Sequence, residues 1–276
     1  MHEVSPLTQL TDDEQMLKEA AADFAKSSIG PLVHEMDEKA KLDPSLIKEF
    51  FEMGLMGIEV PEQYGGAGGT FMMSIVAIEQ ISKVDASAGV FMDVQNTLVN
   101  NAFINFGSEE LKVHYLPQLA SEKVGAYCLS EAGSGSDAFA LKTTAKEDGD
   151  HFILNGSKLW ITNANEADIF IVFANANPEQ GYKGITAFVV ERGFEGFSVS
   201  KKENKLGIRA SSTCEILLED CKVPKSNVLG EFGKGYKKEY ERLRMKSMNK
   251  GMTHYFIGLG GISIILLYSF TFAWGH

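Results

Sequence analysis

The stretch Tyr127-Cys-Leu-Ser-Glu-Ala-Gly-Ser-Gly-Ser-Asp137 concentrates glycine and hydroxyl side chains directly after a short apolar run. Small residues let a backbone come close to a flat ligand, and Ser130, Ser134 and Ser136 offer donors suited to carbonyl and phosphate oxygens. A second segment, Lys158-Leu-Trp-Ile-Thr162, sets an indole and a hydroxyl two residues apart, which on a strand is the same face. Such a pair can stack on and hydrogen-bond to one planar ring. Each segment also has a plainer reading: a simple turn for the first, a tryptophan buried in a barrel for the second.

Other chemistry-bearing patterns are less pointed. Tyr64-Gly-Gly-Ala-Gly-Gly69 is rich in glycine, but no apolar strand run directly precedes it and no Lys-Ser/Thr pair follows. It is expected to connect helices rather than cradle a phosphate. The three cysteines, Cys128, Cys214 and Cys221, show no C-x-x-C spacing, which points to free thiols in a reducing compartment and away from structural zinc. A formal net charge of -11 opposes nucleic-acid or anionic-membrane binding through overall electrostatics.

The elements that must position these residues fall into three stretches. From Thr11 to about Glu122 the apolar period is helical. Thr11 can cap the first helix with Glu14 reaching back, Met16, Ala20, Phe24 and Ala25 are expected on its buried face, and Asp43-Pro44 starts another helix. After Lys123 the pattern alternates, with strands expected around 126–129, 151–154, 169–174, 185–190 and 214–218. Asp148-Gly149 and Asn155-Gly156 read as hairpin turns of type I′. The expectation is an α+β chain: a helical domain over 1–123 and an antiparallel β-barrel or sandwich over 124–235. Residues 236–276 differ from both, with Lys237, Lys238, Arg242, Arg244, Lys246 and Lys250 preceding the uncharged run Tyr255 to Trp274. That run is long enough to cross a hydrocarbon core of ~30 Å, with aromatics at its ends and basic residues on one side. Met1 to Gln9 resembles neither a secretory signal nor an Arg-rich transit peptide.

Taken in order and spacing, the two glycine/hydroxyl and indole segments resemble the acyl-CoA dehydrogenase family. The resemblance runs from about Leu10 to Tyr236 and includes Met53-Gly-Leu-Met-Gly-Ile-Glu-Val60, Lys83-Val-Asp-Ala-Ser87, Gln95-Asn-Thr-Leu98 and Asn155-Gly-Ser-Lys158. Phe139-Ala-Leu-Lys-Thr143, Gly181-Tyr-Lys-Gly-Ile-Thr186 and Lys205-Leu-Gly-Ile-Arg-Ala-Ser-Ser-Thr-Cys214 look most like the short/branched-chain members. The resemblance implies FAD as cofactor and an acyl-CoA thioester as substrate, oxidised to a trans-2-enoyl-CoA. It also implies a mitochondrial matrix enzyme, a homo-oligomer, and an electron-transfer flavoprotein as redox partner. By match to the family pattern, Tyr127, Cys128, Leu129, Ser130, Glu131, Ala132, Gly133, Ser134, Gly135 and Ser136 line the flavin, together with Trp160, Ile161 and Thr162. Ser136, Tyr182 and Tyr236 match positions that touch the acyl-CoA.

After Gly235-Tyr236-Lys237 the sequence departs from the family, whose members continue into a C-terminal helical bundle carrying the catalytic glutamate. Glu241-Arg242-Leu243 resembles the segment from which some relatives draw their base, about one helical turn early, and is expected to be a solvated stretch. The expectation is therefore a dehydrogenase by descent with impaired turnover and a foreign tail. Two readings from other classes stand beside it, a membrane-tethered flavin- or CoA-binding module and a fragment that pairs with a full-length subunit.

Overall fold

The computed structural model describes residues 9–235. Tyr236, Glu241 and the apolar run Tyr255 to Trp274 lie outside the described residues, among which no helix is long and apolar enough to cross a membrane.

Among the described residues seven α-helices come first: α1 (Asp12–Phe24), α2 (Val33–Lys39), α3 (Pro44–Glu52), α4 (Phe71–Val84), α5 (Ala86–Asp93), α6 (Asn101–Phe106) and α7 (Glu109–Ser121). Their starts follow local chemistry. Thr11 Oγ1 accepts from the Glu14 amide while Glu14 accepts from the Thr11 amide, closing the expected capping box, and Asp43 caps α3 with Pro44 in its first turn. The buried stripe of α1 differs from expectation: Ala21, Phe24 and Ala25 are buried with Leu17 packed against the core, whereas Met16 is 62% exposed and Ala20 is exposed. Successive i+4 steps each precess by about 40° at 3.6 residues per turn. Residues 16, 20 and 24 therefore cannot share one narrow face.

The loop Tyr64 to Gly69 is a connector. The amides of Ala67, Gly68 and Gly69 donate to the carbonyls of Gly57, Val60 and Ile58 at 3.0, 2.9 and 2.7 Å, so these donors are engaged within the chain. Gly66 lies so close to its neighbour that a Cβ there would stand 2.1 Å from the Val60 carbonyl oxygen.

Between α5 and α6 the π-helical segment Val94–Asn100 turns three buried amides onto neighbouring backbone. Asn96 bonds the Leu55 carbonyl and the Ile58 amide, and Asn100 bonds the Met56 carbonyl. Gln95 donates to the carbonyls of Leu119 and Lys123 at 2.8 and 3.1 Å and accepts from the Gly125 amide at 2.7 Å. One buried side chain thus ties the end of α7 to the first strand.

Eight strands follow among the described residues: β1 (Gly125–Cys128), β2 (Thr144–Asp148), β3 (His151–Thr162), β4 (Ile169–Asn175), β5 (Ile185–Glu191), β6 (Phe197–Lys202), β7 (Thr213–Pro224) and β8 (Val228–Leu229). They form one sheet in the order β6-β7-β3-β2-β4-β5-β8, with β1 alongside β4. Pairing is mainly antiparallel, but β1 runs parallel to β4, and β2 meets β4 in parallel at Thr144 and Asn175. In β4 the alternation sorts side chains between two cores: Phe170, Val172 and Ala174 join one, Ile169, Ile171 and Phe173 the other, each core also drawing on helical residues.

Two turn expectations are corrected. The β2–β3 hairpin turns on Gly149 and Asp150, with positive φ at Gly149 (59°) but not at Asp150, which is the pattern of a type II′ turn. Asn155-Gly156 is no hairpin: it sits inside β3, where the pairing with β7 shifts register. There the Asn155 side chain bonds the Asp220 amide at 2.9 Å, so a polar pair that resembles a turn serves as a bend in one long strand.

Candidate functional site

Strand β1 carries the glycine/hydroxyl segment out of the core. Cys128 is fully buried, and Tyr127 is half-buried with its ring 5.1 Å from that of Phe173. Glu131 and Ser134 then exchange both backbone hydrogen bonds at 3.0 and 3.1 Å, folding the loop tightly. The three serines differ. Ser134 is buried and its hydroxyl donates to the Asp137 carbonyl at 2.7 Å, whereas Ser130 is half-buried and Ser136 exposed. At Gly133 and Gly135 an added Cβ would meet nothing within 4 Å. Packing within the chain does not demand glycine there, and the bare backbone leaves room for an outside group to come close.

The indole segment lies beside this loop. The Leu159 amide donates to the Ser130 carbonyl at 2.8 Å, joining β3 to the end of β1 one residue before Trp160. Trp160 has φ of +62° at a register shift between Lys158 and Ile161 and is 49% exposed. Regular alternation would place residue 160 on the buried face of Lys158. The bulge turns the indole outward and drops Ile161 into the core, so Trp160 and half-buried Thr162 face out because alternation is broken, not because it persists.

Beneath the loop sits a feature that the spacing of either segment did not expose. Lys158, fully buried, donates to Glu131 Oε1 at 2.6 Å and to the Leu129 carbonyl at 3.2 Å. Glu131 also accepts from the Lys142 amide at 2.6 Å, the Thr143 amide at 3.1 Å and the Thr143 hydroxyl at 2.5 Å. Burial alone would raise the Glu131 carboxyl, but Lys158 and these donors outweigh it and hold its pKa below the usual carboxylate range. Glu131 is therefore turned inward as a brace.

Tyr182 stands in the 3₁₀ stretch Pro178–Gly184, half exposed, with its ring 5.7 Å from that of Phe139 at the far end of the loop. In the sequence Phe139 stands out only as part of the Phe139-Ala-Leu-Lys-Thr143 motif. An exposed indole on unusual backbone, two open glycines and hydroxyls at graded depth form a shallow platform that fits a planar, oxygen-rich cofactor such as FAD.

A helical layer leading through β1 into a mixed sheet is the architecture of an acyl-CoA dehydrogenase's first two domains. Residues 11–123 match the model of the acyl-CoA dehydrogenase N-terminal domain, and residues 126–221 match that of the middle domain. The chain belongs to the acyl-CoA dehydrogenase family. It is 54% identical over 249 residues to a probable short/branched chain specific acyl-CoA dehydrogenase of Dictyostelium discoideum, covering 90% of this chain and 59% of that protein. It is 51% identical over 233 residues to the mitochondrial short/branched chain specific acyl-CoA dehydrogenase of Rattus norvegicus, covering 84% of this chain and 54% of the relative. The chain thus spans little more than half the length of these relatives. Among solved structures it is similar to an acyl-CoA dehydrogenase of Bacillus anthracis complexed with FAD, with TM-score 0.79 and 37% identity over 87% of this chain and 41% of that one.

Proposed function

We propose that residues 124–235, backed by the helical domain 1–123, bind FAD and a short or branched acyl-CoA thioester for α,β-dehydrogenation to the trans-2-enoyl-CoA. The observation that carries this reading is the bond from the Leu159 amide to the Ser130 carbonyl, which sets the exposed Trp160 beside a loop whose glycines are open to an approaching ligand. FAD, when bound, supplies the hydride acceptor for the substrate's β-carbon. Trp160 offers the packing face, Thr162 and Ser130 the hydroxyls at its edge, and Ser136 a donor at the exposed rim. Cys128 and Ile161 contribute backbone only, since their side chains lie in the core. Tyr182, paired with Phe139, borders the side on which the thioester would lie.

Proton removal from the α-carbon needs a free carboxylate within about 2.6–3.2 Å. Glu131 cannot serve, because its oxygens are held by Lys158, Thr143 and the Lys142 amide. In this reading the base is not among residues 9–235, and Glu241, which lies outside the described residues, is not that base. The name of the Rattus norvegicus relative favours a mitochondrial setting, and the family resemblance favours the matrix and homo-oligomers that pass electrons to an electron-transfer flavoprotein.

The test is to titrate the purified 276-residue chain with FAD and then assay it with 2-methylbutyryl-CoA and an artificial electron acceptor. Saturable flavin binding with turnover far below family rates is expected; the loss of a positioned general base costs about 10²–10⁴ in rate. Failure to bind FAD contradicts the binding assignment. Robust turnover abolished by Glu241→Gln contradicts the assignment of the base.

A further inference from the structure

We propose that Lys158, acting through Glu131, is a positioning residue that holds Trp160 in its left-handed conformation and so presets the platform before any flavin arrives. The inference rests on the flavin-binding reading above, but its structural part can be tested without flavin.

A non-glycine residue at φ of +62° persists only where its surroundings over-determine it, since such backbone costs of order 1–3 kcal/mol. The flanks of Trp160 are fixed on both sides. Ahead of it, Lys158 bonds Glu131 and the Leu129 carbonyl, and the Leu159 amide bonds the Ser130 carbonyl. Behind it, Ile161 is buried and paired with Cys214 of β7. Trp160 bridges two anchored points across a bulge. Glu131 in turn is bonded to Lys142 and Thr143 at the entry to β2, so the ion pair joins β3, the loop and β2 at one place. A buried ion pair is rarely more stabilising than well-packed apolar side chains, so stability alone does not account for it. Its directional bonds fix geometry, which apolar contacts do much less sharply.

The variants are Glu131→Gln with Lys158→Met as a double substitution, which leaves no orphan charge, and each single substitution. All are made in a Trp274→Phe background, because Trp274 is the chain's only other tryptophan. The near-UV circular dichroism of Trp160 and its quenching by acrylamide are read without flavin; FAD affinity is read by titration. The double variant is expected to keep its far-UV spectrum yet lose Trp160's near-UV signal and bind FAD at least tenfold more weakly. Unchanged near-UV signal and affinity in a folded double variant would overturn the proposal.

A second comparison does not depend on the buried variants folding. Trp160→Gly and Trp160→Ala both alter an exposed side chain, and only glycine adopts positive φ freely. If residue 160 is held left-handed, the glycine variant unfolds at a higher urea midpoint than the alanine variant. The reverse order overturns the proposal, whereas a wild-type chain that binds no FAD overturns only the flavin-binding reading.

Discussion

Gln95 offers the sharpest test of how the helical layer positions the platform, because one buried side chain satisfies three backbone groups. Replacing it with leucine removes donors to the Leu119 and Lys123 carbonyls and the acceptor for the Gly125 amide. The Leu119 carbonyl has no ready substitute: its usual partner four residues on, the Lys123 amide, donates to Gln118 instead at 2.7 Å. Each buried backbone group left unpaired costs about 1–3 kcal/mol, and leucine's apolar burial offsets part of the total. A net loss of about 3–6 kcal/mol is expected, a large share of the 5–15 kcal/mol typical of a folded domain. Urea unfolding of Gln95→Leu followed by far-UV circular dichroism measures it. Since Gly125 begins the strand that leads into the loop, FAD affinity should fall as well. A stability change under about 1 kcal/mol would refute the reasoning, showing that relaxed backbone or water replaces the amide.

Three further outcomes follow from the same geometry. Gly66→Ala should destabilise the fold by about 3 kcal/mol, because the new methyl meets the Val60 backbone, as a urea midpoint will show. Gly135→Val should change stability by no more than about 0.5 kcal/mol while weakening FAD binding, because nothing in the chain stands within 4 Å of its Cβ, whereas a flavin resting on the platform would meet the added side chain. Burial, with Lys202's charge adding to it, brings the Lys205 ammonium down to about 8, below its unfolded value of about 10.4. The unfolded state therefore binds more protons between those values, so wild type should gain stability relative to Lys205→Met as pH rises from about 7.5 to 10, by about 2 kcal/mol. Paired urea titrations at the two pH values check it, and a pH-independent difference would contradict it.

Helix caps and buried strands were legible because their causes are local: Thr11 with Glu14, Asp43 with Pro44, and the apolar run of β4 each carry their own signal. Strands β2 and β6 were missed for the converse reason. Four of the five residues of β2 are exposed, so its place in the sheet comes from its partners rather than from any alternation of its own. Asn155-Gly156 misled because the same dipeptide that suits a hairpin also suits a bend held by Asp220, which lies 65 residues away. At the candidate site, the two segments could be picked out from residue types, but not the bulge that turns Trp160 outward. Nor did spacing show that Glu131 and Lys158, 27 residues apart, meet under the loop, since nothing short of the β1–β3 approach brings them together.

The most direct test of the platform is an equilibrium FAD titration of the full 276-residue chain beside its Trp160→Ala variant, read by quenching of flavin fluorescence. One saturable site in the wild type and an affinity at least about tenfold weaker in the variant is the expected result, since base–aromatic stacking of this kind is worth about 1–3 kcal/mol. Equal affinity in the two proteins would mean that flavin, if bound, rests somewhere other than on Trp160 and the Tyr127 to Ser136 loop.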